Sequence, residues 1–286
     1  MTKILKNTRI FITYVRLLTR NLFKLLLRFS LARVRNPTVT KKEYEEFAWA
    51  SVLSLKEWER FESIDDFVTK RNDLRRRVCL VDGKVDYLTT HAYYTYRKKT
   101  LRYLVEPYLK EGTGIVELGC GWGFNLFSLA DSIQKPTTML GMDVSHNGLQ
   151  AGRQVSEKFG VPVDFKHIDL LDDTHPNWKE VKSRVAITYY CLEQLANYMD
   201  RVISNLIKAG PELVIHIEPT RELSNPLNLL DFNSLVYSRA RDYPGNIVST
   251  ILNKQDLGLV KVEKVQKKRY APSLQNYPVF IVWKPV

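Results

Sequence analysis

The chain has 286 residues, 44% hydrophobic and 26% charged, enough to bury a large core and too apolar for broad disorder. A mean hydropathy of −0.25, with no long charge-free apolar run, excludes a polytopic membrane protein. The net charge of +12 invites a nucleic-acid partner, but residues 1–42 hold eleven of the 43 basic side chains and no acid, which leaves 32 basic against 31 acidic in the rest. No nucleic-acid partner is therefore expected. The three cysteines, Cys79, Cys120 and Cys191, lack any CxxC pairing, which argues against a disulfide framework or zinc site and for a reducing cytosol.

Residues 4–31 contain no Pro or Gly, so a continuous helix is predicted there. At 100° per residue, Lys6, Arg9, Thr13, Arg16, Arg20 and Lys24 share a sector of about 80°, with Arg28 just beyond it. Phe11, Ile12, Tyr14, Val15, Leu18, Leu22, Leu25, Leu26 and Phe29 lie opposite. A transmembrane span is disfavoured, because Arg16, Arg20 and Lys24 would sit in the hydrocarbon centre. A signal peptide is disfavoured because no uninterrupted apolar region precedes a cleavage site. The expectation is that residues 1–35 lie in an anionic membrane interface, placing the protein peripherally on the cytoplasmic face of the cell membrane. A helix packed on the body or in a dimer seam is the competing reading, with RNA contact the third. The oligomeric state stays open.

Pro37 ends the helical pattern, and Thr38–Lys42 reads as a short linker. Residues 36–111 are expected to form a Tyr-rich lid or substrate region, with 43–110 mostly helical. From residue 112 strands and helices alternate: strands over 113–118, 138–143, 163–168, 184–190 and 212–218, and helices through Ala130, over 146–159 and near 195–208. That alternation predicts a parallel sheet covered on both faces. Two final strands, 259–270 and 277–284, have no helix between them and predict an antiparallel edge hairpin. The fold class is α/β, and 112–286 is the expected catalytic domain, with a substrate insert near 219–252.

The loop after the first of these strands reads E-x-G-x-G-x-G from Glu117 through Gly119, Gly121 and Gly123. It is not the dinucleotide GxGxxG, because position 124 is Phe. Glycines without a Cβ let the backbone approach a ligand beyond the strand ends. Asp143 ends the second strand, where a carboxylate can accept from ribose hydroxyls, and Asp169 follows the third, where it can accept from an adenine amino group.

VELGCGWG, GMDVS and the acid of HIDL resemble the successive cofactor motifs of class I S-adenosylmethionine-dependent methyltransferases, over about 112–286. The resemblance implies a Rossmann-like sheet of seven strands with a reversed hairpin at its edge. It implies that Glu117, Gly119, Cys120, Gly121 and Gly123 hold the methionine part of S-adenosylmethionine. Asp143 with Val144 would meet the ribose, and Asp169 with Leu170 the adenine. S-adenosylhomocysteine would be the product.

The acceptor is expected over the ends of the fourth and fifth strands. Glu218, His216 and Glu193 are the candidate proton acceptors there, since transfer from an activated donor needs position and a base. Each also has a plain structural role open to it: an ion pair or cap for Glu218, burial inside the strand for His216, and complementing a helix dipole for Glu193. A catalytic metal is not expected, because no acid pair of the cation-assisted kind follows these strands. His91, Tyr93, Tyr94, Arg97 and Tyr190 are the candidate acceptor contacts, since Tyr rings with hydroxyl tips suit sugars. HAYYTYRKK, LEQL and IHIEP together look like bacterial surface-polysaccharide methyltransferases. That looser resemblance implies a glycan or glycolipid acceptor, for example a terminal O-antigen sugar of the perosamine type. Methylation of a lipid or quinone head group, and a non-catalytic cofactor-binding scaffold, are the alternatives.

Overall fold

The computed structural model describes residues 3–31, 41–135, 137–268, 270–272 and 274–286, and within the first helix the side chains of residues 6–26. Helix α1 (Lys3–Leu31) leads into a wide helical turn at Tyr44–Trp49, then α2 (Ala50–Leu55) and α3 (Ile64–Thr69). A hairpin follows, β1 (Arg76–Val81) with β2 (Lys84–Thr89), and then α4 (Thr90–Val105). The main sheet is built from β3 (Ile115–Leu118), β4 (Met139–Asp143), β5 (Val163–His167), β6 (Val185–Tyr189), β7 (Leu213–Glu218), β8 (Val260–Lys267) and β9 (Val279–Pro285). Its helices are α5 (Phe124–Ala130), α6 (His146–Phe159), α7 (Met199–Ala209), α8 (Leu229–Arg241) and α9 (Ile247–Asp256).

The order across the sheet is β5-β4-β3-β6-β7-β9-β8. The first five strands are parallel, and β9 runs antiparallel to both β7 and β8. This is the seven-stranded α/β sheet with a reversed terminal hairpin that the strand pattern predicts. Alternate residues of each strand enter two separate cores. Ile115, Ile215 and Ile217 join Leu101, Leu104 and Phe127 on one face. Val116, Leu118 and Val214 join Val202, Leu206 and Ile251 on the other. Glu117 thus faces α4 and α5, while His216 and Glu218 face the opposite layer.

Two expectations change and one gains a detail. Residues 43–110 are mostly helical, as expected, but β1 and β2 form a hairpin between α3 and α4. The turn is Asp82-Gly83, with φ of 46° and 78°, a pair of left-handed residues that matches the twist of two joined strands. The helix expected near 195–208 starts at Met199, after two tight turns at Leu192–Gln194 and Ala196–Tyr198. Lys41 and Lys42 belong to a helical stretch rather than a linker. Arg33, Arg35, Pro37 and the residues 38–40 lie outside the described residues, as do the side chains of Arg28 and Phe29.

Helix α1 packs along α8 and touches the β1–β2 hairpin. Asn21, fully buried, donates to Asn233 Oδ1 at 3.4 Å. The Tyr14 hydroxyl donates to the Leu229 carbonyl at 3.0 Å. Lys6 pairs with Asp86 at 2.6 Å, and Arg9 donates to the Tyr87 hydroxyl at 2.6 Å. The apolar side therefore divides. Tyr14, Leu18 and Leu25 turn inward, whereas Phe11, Ile12, Val15, Leu22, Phe23 and Leu26 stay exposed. No helix among the described residues is long and apolar enough to cross a membrane.

Candidate active site

The glycine loop is held open by its backbone. Gly119, Gly121 and Gly123 have φ of 71°, 56° and 79°, a region in which a side chain is strained. Gly119 N and Cys120 N both donate to the Met142 carbonyl, at 2.7 and 3.1 Å, which clips the loop to the end of β4. A Cβ at Gly121 would come within 2.5 Å of the Trp49 ring, so the loop also has no room for one there.

Asp143 sits at the centre. Its Oδ2 accepts from Gly121 N at 2.7 Å and its Oδ1 from Ser145 N at 2.8 Å. Burial raises its pKa, against the lowering effect of those backbone N–H groups. A carboxylate oxygen can accept more than one hydrogen bond, which is what a ribose hydroxyl needs. Ser145 then caps α6 by accepting from Gly148 N at 3.0 Å.

Glu117 is fully buried beneath the loop. Asn125 Nδ2 donates to its Oε1 at 2.5 Å, and its Oε2 has no partner. Burial pushes this carboxyl up to about 8, opposed by the Asn125 bond and the Arg97 charge. Arg97 reaches from α4 to Asn125 and also donates to the Tyr189 hydroxyl at 3.1 Å. Its guanidinium lies 5.0 Å from the Phe124 ring centre and 4.8 Å from that of Tyr189. An orphaned buried carboxylate oxygen is a fitting place for the cofactor's ammonium group, and the left-handed glycines are a fitting cradle.

A cavity of about 140 Å³ lies over this end of the sheet. Asp143, Val144, Asp169, Leu170 and Gly119 line it from the sheet side, and Tyr190, Cys191 and Gln194 from the acceptor side. Lys41, Tyr44 and Trp49 close it from above. It is smaller than the roughly 300–1,000 Å³ of ordinary ligand pockets. Lys41 is ion-paired with Asp169. Glu45 accepts from the Ser145 hydroxyl and, at 3.2 Å, from Asn147 N. The covering segment is thus pinned to the start of α6.

On the acceptor side, Tyr190 has φ 54° and donates to the Asn276 carbonyl at 2.6 Å. Glu193 is buried and accepts from Asn276 Nδ2 at 2.9 Å and Gln194 Nε2 at 3.0 Å. Glu218 is fully buried behind this wall. Its Oε1 accepts from Cys191 N at 3.0 Å, while Oε2 lacks a hydrogen-bond partner. Burial pushes it up to about 8. His216 is in a different setting. It lies inside β7, bonded through Nδ1 to Thr188 at 2.8 Å and set against Trp283, and burial pushes it down to about 3. None of His216, Glu193 and Glu218 lines the cavity itself; Glu218 and Glu193 bond to residues of its wall, whereas His216 bonds within the sheet. Of the other candidates, Tyr93 is fully buried beside Tyr94, and His91 Nδ1 meets the Thr69 carbonyl at 3.0 Å. These two pack α4 rather than face the cavity.

The cover from Lys41, Tyr44, Glu45 and Trp49 has no counterpart in the sequence pattern, and neither do Asn125 and Asn276. No local pattern marks them. Asn125 meets Glu117 at a separation of 8 and Arg97 at 28, and the others act across longer separations on partners that only folding supplies.

A family model described as a methyltransferase domain matches residues 115–209. Among solved structures, magnesium protoporphyrin IX methyltransferase from Synechocystis PCC 6803 with bound S-adenosylhomocysteine is similar at a TM-score of 0.54 and 15% identity. That match covers 88% of this chain and 100% of the other. The same enzyme with S-adenosylmethionine gives 0.52 and 14%, over 89% and 99%. No curated protein matches the chain. Identities this low carry the fold, and the family match carries the type of domain. Residues 115–209 therefore match a methyltransferase domain, and the chain shares the fold of an enzyme solved with S-adenosylmethionine and S-adenosylhomocysteine.

Proposed function

We propose that the enzyme methylates a sugar hydroxyl of a bacterial surface glycan carried at the inner face of the cell membrane. The observation that carries this reading is the aromatic lining of the cavity, from its cover and its acceptor side together. Tyr44, Trp49 and Tyr190 offer flat rings, and Gln194 offers an amide, around the same cavity as Asp143 and Gly119. Flat rings with polar tips match the alternating faces and hydroxyls of a sugar. The exposed apolar stripe of α1, flanked by Arg9, Arg16, Arg20 and Lys24, supports a site at an anionic membrane. The same stripe favours the second reading, a lipid or quinone head group as acceptor.

Glu117 and the glycine loop would hold the methionine part of the cofactor, Asp143 the ribose, and Asp169 the adenine once Lys41 releases it. The bound cofactor supplies an electrophilic methyl group. The protein's remaining task is to align the hydroxyl and take its proton. Of the three candidate bases, Glu218 combines an oxygen lacking a hydrogen-bond partner with a direct bond to the wall, through Cys191 N. We assign it as the proton acceptor, with Glu193 holding Asn276 and Gln194 in place.

The acceptor is tested with labelled S-adenosylmethionine against glycolipid and against lipid stripped of glycan. Methyl transfer to the glycolipid alone is expected, and transfer to the stripped lipid rejects the sugar. For the base, Glu218→Gln is expected to lower turnover by about 100-fold or more while leaving cofactor affinity unchanged. With a pKa of about 8, ionised Glu218 grows in as pH rises, so wild-type turnover should climb through pH 8. The residual activity of the variant should lack that limb. An unchanged pH profile removes Glu218 from the mechanism.

A further inference from the structure

We propose that two chain segments build one membrane-binding surface, the exposed face of α1 and the apolar loop before α8, and that its occupant is an anionic lipid bilayer. The proposal rests on the membrane reading of α1 and adds a part that the N-terminal sequence does not contain. The loop is short and firmly held. Asn228 Oδ1 accepts from Leu230 N and Asp231 N, at 3.1 and 3.2 Å, and Asn225 N donates to Asp231 at 2.8 Å. Lys267 donates to the Leu223 carbonyl at 2.9 Å. Between these ties Leu227 is 91% exposed and Leu229 is 70% exposed. A well-anchored loop that holds two leucines in water is unusual for a surface that meets only water.

The loop adjoins α1, because the Leu229 carbonyl accepts from Tyr14 and α8 carries the Asn233 partner of Asn21. In α1, Phe11, Phe23 and Leu26 are 67%, 63% and 66% exposed. Charge also converges from both segments. Burial first, and then the charges of Arg241 and Arg20, lower the pKa of Lys24, so a helix-α8 cation stands near the α1 cations. Apolar side chains beside basic ones fit acyl chains beside anionic head groups. A purely apolar self-interface has no use for that charge.

The surface is also tied to the active site. The loop follows directly from the Glu218 end of β7, and Asn233 Nδ2 donates to the Leu274 carbonyl at 2.9 Å, two residues from the Asn276 that holds Tyr190 and Glu193. A bilayer on this surface would lie beside the acceptor wall, which suits an acceptor whose lipid stays in the membrane.

The test uses the full chain and sedimentation with vesicles of phosphatidylcholine, with and without one-third phosphatidylglycerol. Leu227→Ser/Leu229→Ser and Phe11→Ser/Phe23→Ser/Leu26→Ser change exposed side chains only, and unfolding curves check that both variants fold. Each is expected to bind the anionic vesicles at least tenfold more weakly than wild type. If the α1 variant is released while the loop variant binds like wild type, the two-segment surface is wrong and the membrane reading of α1 stands. If both bind like wild type, both ideas fail. If light scattering shows a dimer that the loop variant splits without changing vesicle binding, the surface is a self-interface and the proposal is overturned.

Discussion

Glu117 and Glu218 share a condition that their positions in the chain do not suggest. Both carboxyls are pushed up to about 8 by burial, so both are largely protonated at neutral pH without a ligand. A cofactor ammonium beside Glu117 would favour its charged form, and binding at pH 7 should then release a proton. Calorimetry of S-adenosylhomocysteine binding in buffers of different ionisation enthalpy checks this, and Glu117→Gln should abolish the buffer dependence. The same shifts set a sign for stability. A carboxyl whose folded pKa lies above its unfolded value stabilises fully below pH about 4.5, and that contribution is lost as pH rises through 8. Thermal unfolding of the ligand-free chain should therefore weaken from pH 5 to 8.5, and Glu218→Gln should weaken less. Both residues are legible in the sequence as acids at strand ends. Their burial is not, because it depends on which face of each strand meets a helix layer.

At the scale of elements, the cover over the cavity is held by few contacts. Glu45 accepts from the Ser145 hydroxyl and from Asn147 N at the start of α6, where a carboxylate also meets the positive end of the helix. Such charge-assisted bonds contribute about 1.5–3 kcal/mol. Glu45→Ala is expected to free the segment and speed cofactor dissociation about tenfold, measured by stopped-flow fluorescence. An unchanged rate would mean that Trp49 on Gly121 closes the cavity alone. Ser145→Ala should loosen the same segment and also cost about 1 kcal/mol of stability, because its hydroxyl both donates to Glu45 and caps α6. The glycine loop, the strand ladder and the terminal hairpin are readable from sequence because they depend on local period and spacing. The β1–β2 hairpin carries its Asp82-Gly83 signal too, but the dense tyrosines and neighbouring helical patterns mask it. The cover has no such signal, since Lys41–Asp169 spans 128 residues and Glu45–Ser145 spans 100.

For the whole molecule, α1 is part of the body as well as its cationic edge. Removing residues 1–31 would uncover Asn233 and the α8 face, so truncation should lower the Tm by several degrees. The Phe11, Phe23 and Leu26 substitutions should leave it unchanged, and differential scanning calorimetry separates the two. The sequence by itself determined the alternating strands and helices with a terminal hairpin, the glycine loop with acids at the strand ends, and the concentration of positive charge in the first 42 residues, because each rests on local spacing or simple counting. Only the tertiary structure decided that the apolar side of α1 divides between α8 and solvent, that Glu218 stands behind Cys191, and that His216 lies inside the sheet. The physical reason is that a helical or strand period says which residues share a face, while the neighbour each face meets depends on contacts made across the whole chain.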